Sequence, residues 1–169
     1  MSVLTDYRKE KDEFFASDPQ SPLTEKQQRD FKELHYYPEN SELCFTLSIQ
    51  EFPEKEIVPI QTSKEDVRSY ERFGTISFSV EGVPVSLTVY RTGYGFFLPF
   101  VDSMAGKETY PAGRYLEIET AENGKYVVDF NMAYNPYCAY NDRWSCPITP
   151  AENRLKVAIK AGEMLYHTP

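Results

Sequence analysis

The stretch GTISFSVEGVPVSLTVYR, residues 74–91, constrains the fold more than any other part of the chain. With Glu81-Gly82 as a two-residue turn, Val80 pairs with Val83, and one face collects Ile76, Phe78, Val80, Val83, Val85, Leu87 and Val89. Thr75, Ser77, Ser79, Ser86 and Thr88 fall on the other face. Side chains alternate across a strand, so this separation predicts an antiparallel hairpin with one face in a core and one face wet.

A second hairpin is predicted in GRYLEIETAENGKYVVDFN, turning at Asn123-Gly124, the strongest short hairpin signal in the chain. Setting Glu122 opposite Lys125 puts Ile118 across from Asp129 and Leu116 across from Asn131. One face then carries Arg114, Leu116, Ile118 and Thr120 with Val127, Asp129 and Asn131, and Arg114 reaches Asn131 diagonally. Polar groups on an apolar face must be paired or line a cavity. Arg114, Asp129 and Asn131 are therefore either a structural cluster that fixes the next loop or the polar floor of a pocket. A register error from a bulge would dissolve the arrangement altogether.

Further strands are expected at 43–52, 56–62, 66–72, 95–100 and 155–160. Two helices precede them. One runs from Ser2 to about Ala16 with Leu4, Tyr7, Phe14 and Phe15 on its apolar side. The other runs from Thr24 to about Leu34, opened by the capping box Thr24-x-x-Gln27. Strands without βαβ alternation predict a mainly β, α+β fold: an antiparallel β-barrel or roll with the two N-terminal helices packed at one end. One domain is expected over 1–169, with a helical segment at 1–36 and a β body at 43–169.

The net charge of −8, with no Lys/Arg-rich run, argues against a nucleic-acid partner. The charged N-terminus has no apolar signal core, and no apolar run approaches the ~20 residues of a membrane helix, so a cytoplasmic protein is expected. Three cysteines, Cys44, Cys138 and Cys146, are an odd number, and the two histidines, His35 and His167, lie far from the Cys138–Cys146 pair. Reduced thiols with no zinc are expected. The GK pair at Gly106-Lys107 lacks the other residues of a phosphate loop, and GYGFFL lacks the third glycine of a dinucleotide fingerprint. Metalloprotease and nucleophile-elbow motifs are absent as well, so no cofactor is expected.

What remains is a set of polar and aromatic loops. DSMAGKETYPAGRY presents Lys107, Glu108 and Tyr110. NPYCAYNDRWSCP, residues 135–147, is braced at both ends by Asn135-Pro136 and Cys146-Pro147. Lys107, Arg114, Asn131, Tyr134, Asn135 and Tyr140 are the candidate ligand-binding residues for a small molecule at the barrel end. If there is turnover, of a hydrolase-like kind, Asp129 or Glu108 is the candidate general acid or base. The alternative is a non-catalytic interaction module that uses the aromatic loop 134–147 on a protein partner. No oligomeric state follows from the sequence.

These same segments resemble a known family. GKETYPAGRY, DFNMAYNPYCAY and CPITPAENRLKVAIKAGE are similar to the signature of the family catalogued as domain of unknown function 1684. Matching positions include Lys107, Arg114, Asp129, Asn131, Asn135, Cys138, Cys146, Asn153, Gly162 and Glu163. The resemblance covers the C-terminal part of the chain and implies membership, with no reaction or cofactor attached. It places the polar loops in one shared motif.

Overall fold

The computed structural model describes residues 3–167. Helix α1 (Val3–Ser17) matches the first expected helix, except that Ser2 lies outside the described residues. Helix α2 is shorter than the pattern suggests, spanning only Glu25–Asp30. The Thr24 capping box forms as expected, but Phe31 leaves the helix with ψ 135°, so Leu34 reaches the core from an extended segment.

Among the described residues eight strands follow: β1 (Cys44–Leu47), β2 (Gln50–Gln61), β3 (Val67–Val80), β4 (Val83–Thr92), β5 (Gly95–Phe100), β6 (Arg114–Leu116), β7 (Glu119–Thr120) and β8 (Tyr126–Asp129). They form two antiparallel sheets, one ordered β2-β3-β4-β5-β6 and the other β1-β8-β7. No ladder among the described residues joins the two sheets into a closed barrel. Instead they share one core, in which Ile76, Phe78, Leu87, Leu98 and Phe100 of the larger sheet meet Val128 and Phe130 from the smaller side. Phe130 touches Phe45, Phe78 and Phe100 within ring-centroid distances of 5.3–6.2 Å.

The first hairpin has the expected register. Val80 pairs with Val83, Phe78 with Val85 and Ile76 with Leu87. Glu81 (φ 49°) and Gly82 (φ 81°) give the two left-handed residues of a type I′ turn. Ser77 and Ser86 are exposed, while Val83, placed by its alternation on the core face, projects into solvent at the tip. Thr88 is buried despite lying on the polar face. The cause is Asn153, whose side-chain amide bonds both Thr88 N and Thr88 O at 2.8 Å and donates to Pro99 O at 2.8 Å. Proline has no N–H with which to continue a ladder, and the Asn153 amide fills the gap.

The second hairpin departs from the expected register by one residue. Glu119 pairs with Val127 and Thr120 with Tyr126. The loop has three residues rather than two: Ala121 N donates to Lys125 O, and both Asn123 (φ 60°) and Gly124 (φ 71°) are left-handed. A slip of one residue inverts the faces. The chain also breaks between β6 and β7, and Arg114 pairs with Phe100 in the other sheet. The expected strand at 155–160 is absent too. A bridge at Val101–Arg154 and the backbone bonds Leu155 N to Val101 O and Ser103 N to Val157 O form, but the carbonyls of Ile159, Ala161 and Glu163 are taken by the Arg114 side chain instead.

From Phe130 to His167 the described chain holds only 3-10 turns, yet Ile159, Ala161 and Glu163 are completely buried. Gly162 (φ +81°) explains part of the packing, because a Cβ there would lie 2.7 Å from Phe130 O.

Candidate functional site

The sequence-predicted site residues go to four different places. Arg114 is 1% exposed and points into the C-terminal coil, donating to the carbonyls of Ala161 (2.5 Å), Glu163 (3.2 Å) and Ile159 (2.8 Å). Its carboxylate neighbour is Asp102, at 3.7 Å, and not Asp129. Asp102 in turn accepts from Thr109 Oγ1 (2.7 Å) and Ile159 N (2.8 Å). The expected connection of Arg114 with Asp129 and Asn131 is thus corrected: the register slip and the sheet change carry Arg114 away.

Asp129 and Asn131 do stay together. Asp129 Oδ1 accepts from Asn131 N and Nδ2, at 3.0 and 2.9 Å. The Asn131 amide also binds the backbone of Asn40, through N (2.8 Å) and O (2.9 Å). This pair stitches the 40s loop to the start of the coil. Lys107 and Glu108 line a groove with His35 and Tyr36 on another part of the surface, and Tyr37 OH donates to Glu108 at 2.9 Å.

Tyr134 and Asn135 reach a cleft of about 580 Å³ between α1 and the 134–147 loop. Tyr7, Lys11 and Phe14 of α1 form one wall; Tyr134, Tyr137 and Trp144 form the opposite one, with Arg68, Glu117 and Ser145 at the rim and Cys146 below. The helix is held against the body by polar ties. Lys11 Nζ reaches Glu163 Oε1 at 2.8 Å, Arg8 donates to Tyr37 O at 3.0 Å, and Leu34 N donates to Asp12 Oδ1 at 3.0 Å.

Glu163 is the buried anchor of this region, with 0% exposure. Besides Lys11 it accepts from Asn135 Nδ2 at 2.8 Å and from the Tyr140 hydroxyl. Tyr140 therefore lies under the helix, edge-on to Phe15 at 5.0 Å, and not at an open site. Burial raises its hydroxyl well above the usual tyrosine range, as it does for Tyr134, so both remain protonated donors at neutral pH. Asn135 is 1% exposed, and its Nδ2 also donates to Met164 O at 3.0 Å. Its Oδ1 has no hydrogen-bond partner.

Below the cleft lie two thiols. Cys138 N donates to Cys146 Sγ at 3.3 Å, and Tyr110 OH to Cys138 Sγ at 3.6 Å. No group of three or more His, Cys, Asp or Glu among the described residues is placed to hold a metal ion.

Lys11 and Arg68 were missed as site residues because each reaches the cleft from a distant part of the chain, and so was Glu163, the buried partner of Lys11. The only local hint was Lys11 three residues before the apolar pair Phe14-Phe15, which puts all three on one side of a helix.

The molecule is thus an α+β protein of two antiparallel sheets, with an aromatic cleft walled by its N-terminal helix. It belongs to the family described as protein of unknown function (DUF1684), whose model matches residues 29–164. The solution NMR structure of an uncharacterized protein from gene locus rrnAC0354 of Haloarcula marismortui is similar to it. That similarity has a TM-score of 0.73 and 33% sequence identity, over 97% of this chain and 94% of that one. A search of curated proteins gave no match. No helix among the described residues is long and apolar enough to cross a membrane.

Proposed function

We propose that the protein binds a small organic molecule in the cleft between α1 and the 134–147 loop. The observation that carries this reading is the cleft itself, a ligand-sized volume between aromatic walls whose lining includes Asn135 and Arg68. The aromatic walls suit a planar apolar body, and Arg68 at the rim suits an anionic end. Asn135 Oδ1, Arg8 Nε and Tyr36 OH are buried without partners; Asn135 lines this cleft, whereas Tyr36 lines the Lys107 groove.

The geometry favours binding over hydrolysis. Asp129 caps the turn at Asn131, and Glu108 sits in the separate groove, so neither candidate acid or base lines the cleft. The interaction-module reading has less support: of the loop aromatics Tyr137 is exposed, while the Trp144 indole is tied to Pro22 O at 2.9 Å.

The test is a metabolite screen by thermal shift. A ligand present roughly 100-fold above its Kd stabilises the native state by about 2.7 kcal/mol. That shift is expected to shrink in Arg68→Gln and Asn135→Ser and to persist in Lys107→Gln. The opposite pattern would move the binding site to the Lys107 groove. A positive screen whose shift survives all three substitutions would leave the cleft without a role.

A further inference from the structure

The cysteines at the base of the 134–147 loop take no part in the cleft's binding chemistry, and they are not ordinary core thiols. The two residues are neighbours: Cys146 Sγ accepts from Cys138 N at 3.3 Å, which sets the thiols side by side. A phenol, Tyr110 OH, donates to Cys138 Sγ. Cys138 is half-buried, whereas Cys146 is buried and faces the floor of the cleft. Cys44 is a thiol of a different kind, exposed on a strand opposite Asp129.

We propose that Cys138 and Cys146 are a dithiol oxidised by hydroperoxides, with Cys138 as the attacked sulfur and Cys146 as the thiol that resolves it to a disulfide. The chemistry balances in two steps. Cys138 thiolate attacks one oxygen of the hydroperoxide, the O–O bond breaks, and the leaving oxygen takes a proton from solvent, as water when the oxidant is hydrogen peroxide. Cys138 is then a sulfenic acid, oxidised by two electrons. The Cys146 sulfur attacks it next, the S–S bond forms, the S–O bond breaks, and hydroxide leaves with the Cys146 proton as a second water. No cofactor is required, and an external thiol reverses the product.

The surroundings divide the roles of the two sulfurs. Cys138 is pulled down to about 6, first by the hydrogen bond from Cys146, against the opposing effect of burial, and further by Tyr110. Cys146 is pushed up, first by its hydrogen bond to Cys138 and then by burial. One sulfur thus carries the charge while the other keeps the proton, which suits one for attack and the other for resolution. The neighbouring groups are Tyr110, Tyr115 and Arg68; the two tyrosines are raised mainly by burial, and the Arg68 charge favours the anion. The Cys44 thiol is raised, by burial first and then by Asp129, which makes it an internal control for slow oxidation.

The experiment treats the full chain with hydrogen peroxide, blocks the remaining thiols by alkylation and maps the products by peptide mass spectrometry. A Cys138–Cys146 disulfide is expected, with Cys44 still alkylated and the pair restored by dithiothreitol. In Cys146→Ser the resolving sulfur is gone, and a sulfenic-acid probe should label Cys138 at least ~10-fold faster than Cys44. The wild-type mapping stands without that variant if the variant fails to fold. Oxidation of Cys44 ahead of the pair overturns the proposal, as does a Cys138 that survives peroxide in the reduced form. Probe labelling of Cys146 in Cys138→Ser as fast as that of Cys138 in Cys146→Ser would overturn the assignment of roles.

Discussion

The hairpin body at 67–100 and the coil at 130–167 are both well buried, but they are held in different ways. In the body, backbone groups pair with one another along ladders, and alternating side chains supply an apolar face: Ile76, Leu87, Val89 and Leu98 are all at most 1% exposed. In the coil almost no ladder exists, so polar side chains answer the buried backbone groups individually. Arg114 serves three carbonyls, Asn153 bridges two strands, and Glu163 collects Lys11, Asn135 and Tyr140. Regular structure satisfies its backbone with any sequence of the right period. Irregular buried structure needs particular residues at particular positions. The signature segments therefore have a structural explanation before any chemical one: Arg114, Asn131, Asn135, Asn153, Gly162 and Glu163 are what allow this coil to be buried.

The sharpest way to break this contrast is Arg114→Met. It leaves Asp102 without its cation and strands the carbonyls of 159, 161 and 163, so a loss of ~3–5 kcal/mol is expected in urea unfolding. Hydrogen exchange on the same variant should show amides of the coil opening while those of β3 and β4 stay protected. Uniform loss of protection would mean that the two regions are one cooperative unit. Leu87→Ala probes the body, where removal of a fully buried side chain is expected to cost about 3 kcal/mol through the cavity it leaves. Asn153→Ala tests the junction between the regions. It leaves Thr88 and Pro99 groups unpaired at a cost of ~1–3 kcal/mol, and the β4–β5 edge should be the first part to lose exchange protection. The smallest effect is expected for Ser77→Ala on the wet face of the body, within ~0.5 kcal/mol; a larger loss would show that this face is covered in solution.

The same contrast accounts for what was legible in the sequence. The first hairpin could be registered residue by residue because its information is local: a period of two and a Glu-Gly turn. The second misled by one residue because Asn123-Gly124 provides two left-handed residues whether the loop holds two or three. From that slip came the misplacement of Arg114 beside Asp129. Of the candidate ligand residues, Tyr134 and Asn135 do line the cleft, since the prolines around them stiffen a loop that sequence alone can recognise. The far wall was invisible, because nothing in VLTDYRKEKDEFF says which surface the helix will cover. Its contacts with Glu163 and Tyr37 link positions more than 25 residues apart, and such pairings leave no periodic trace.

The Lys11–Glu163 tie has one further consequence. Swinging α1 outward would strip a carboxylate with 0% exposure of its counter-charge, so the resting helix is latched. A guest of the kind proposed above would then enter a chamber whose walls already stand at their final separation. Its on-rate would be set by diffusion past the Arg68 rim rather than by a waiting time for closure, and little conformational entropy would be left to surrender on arrival.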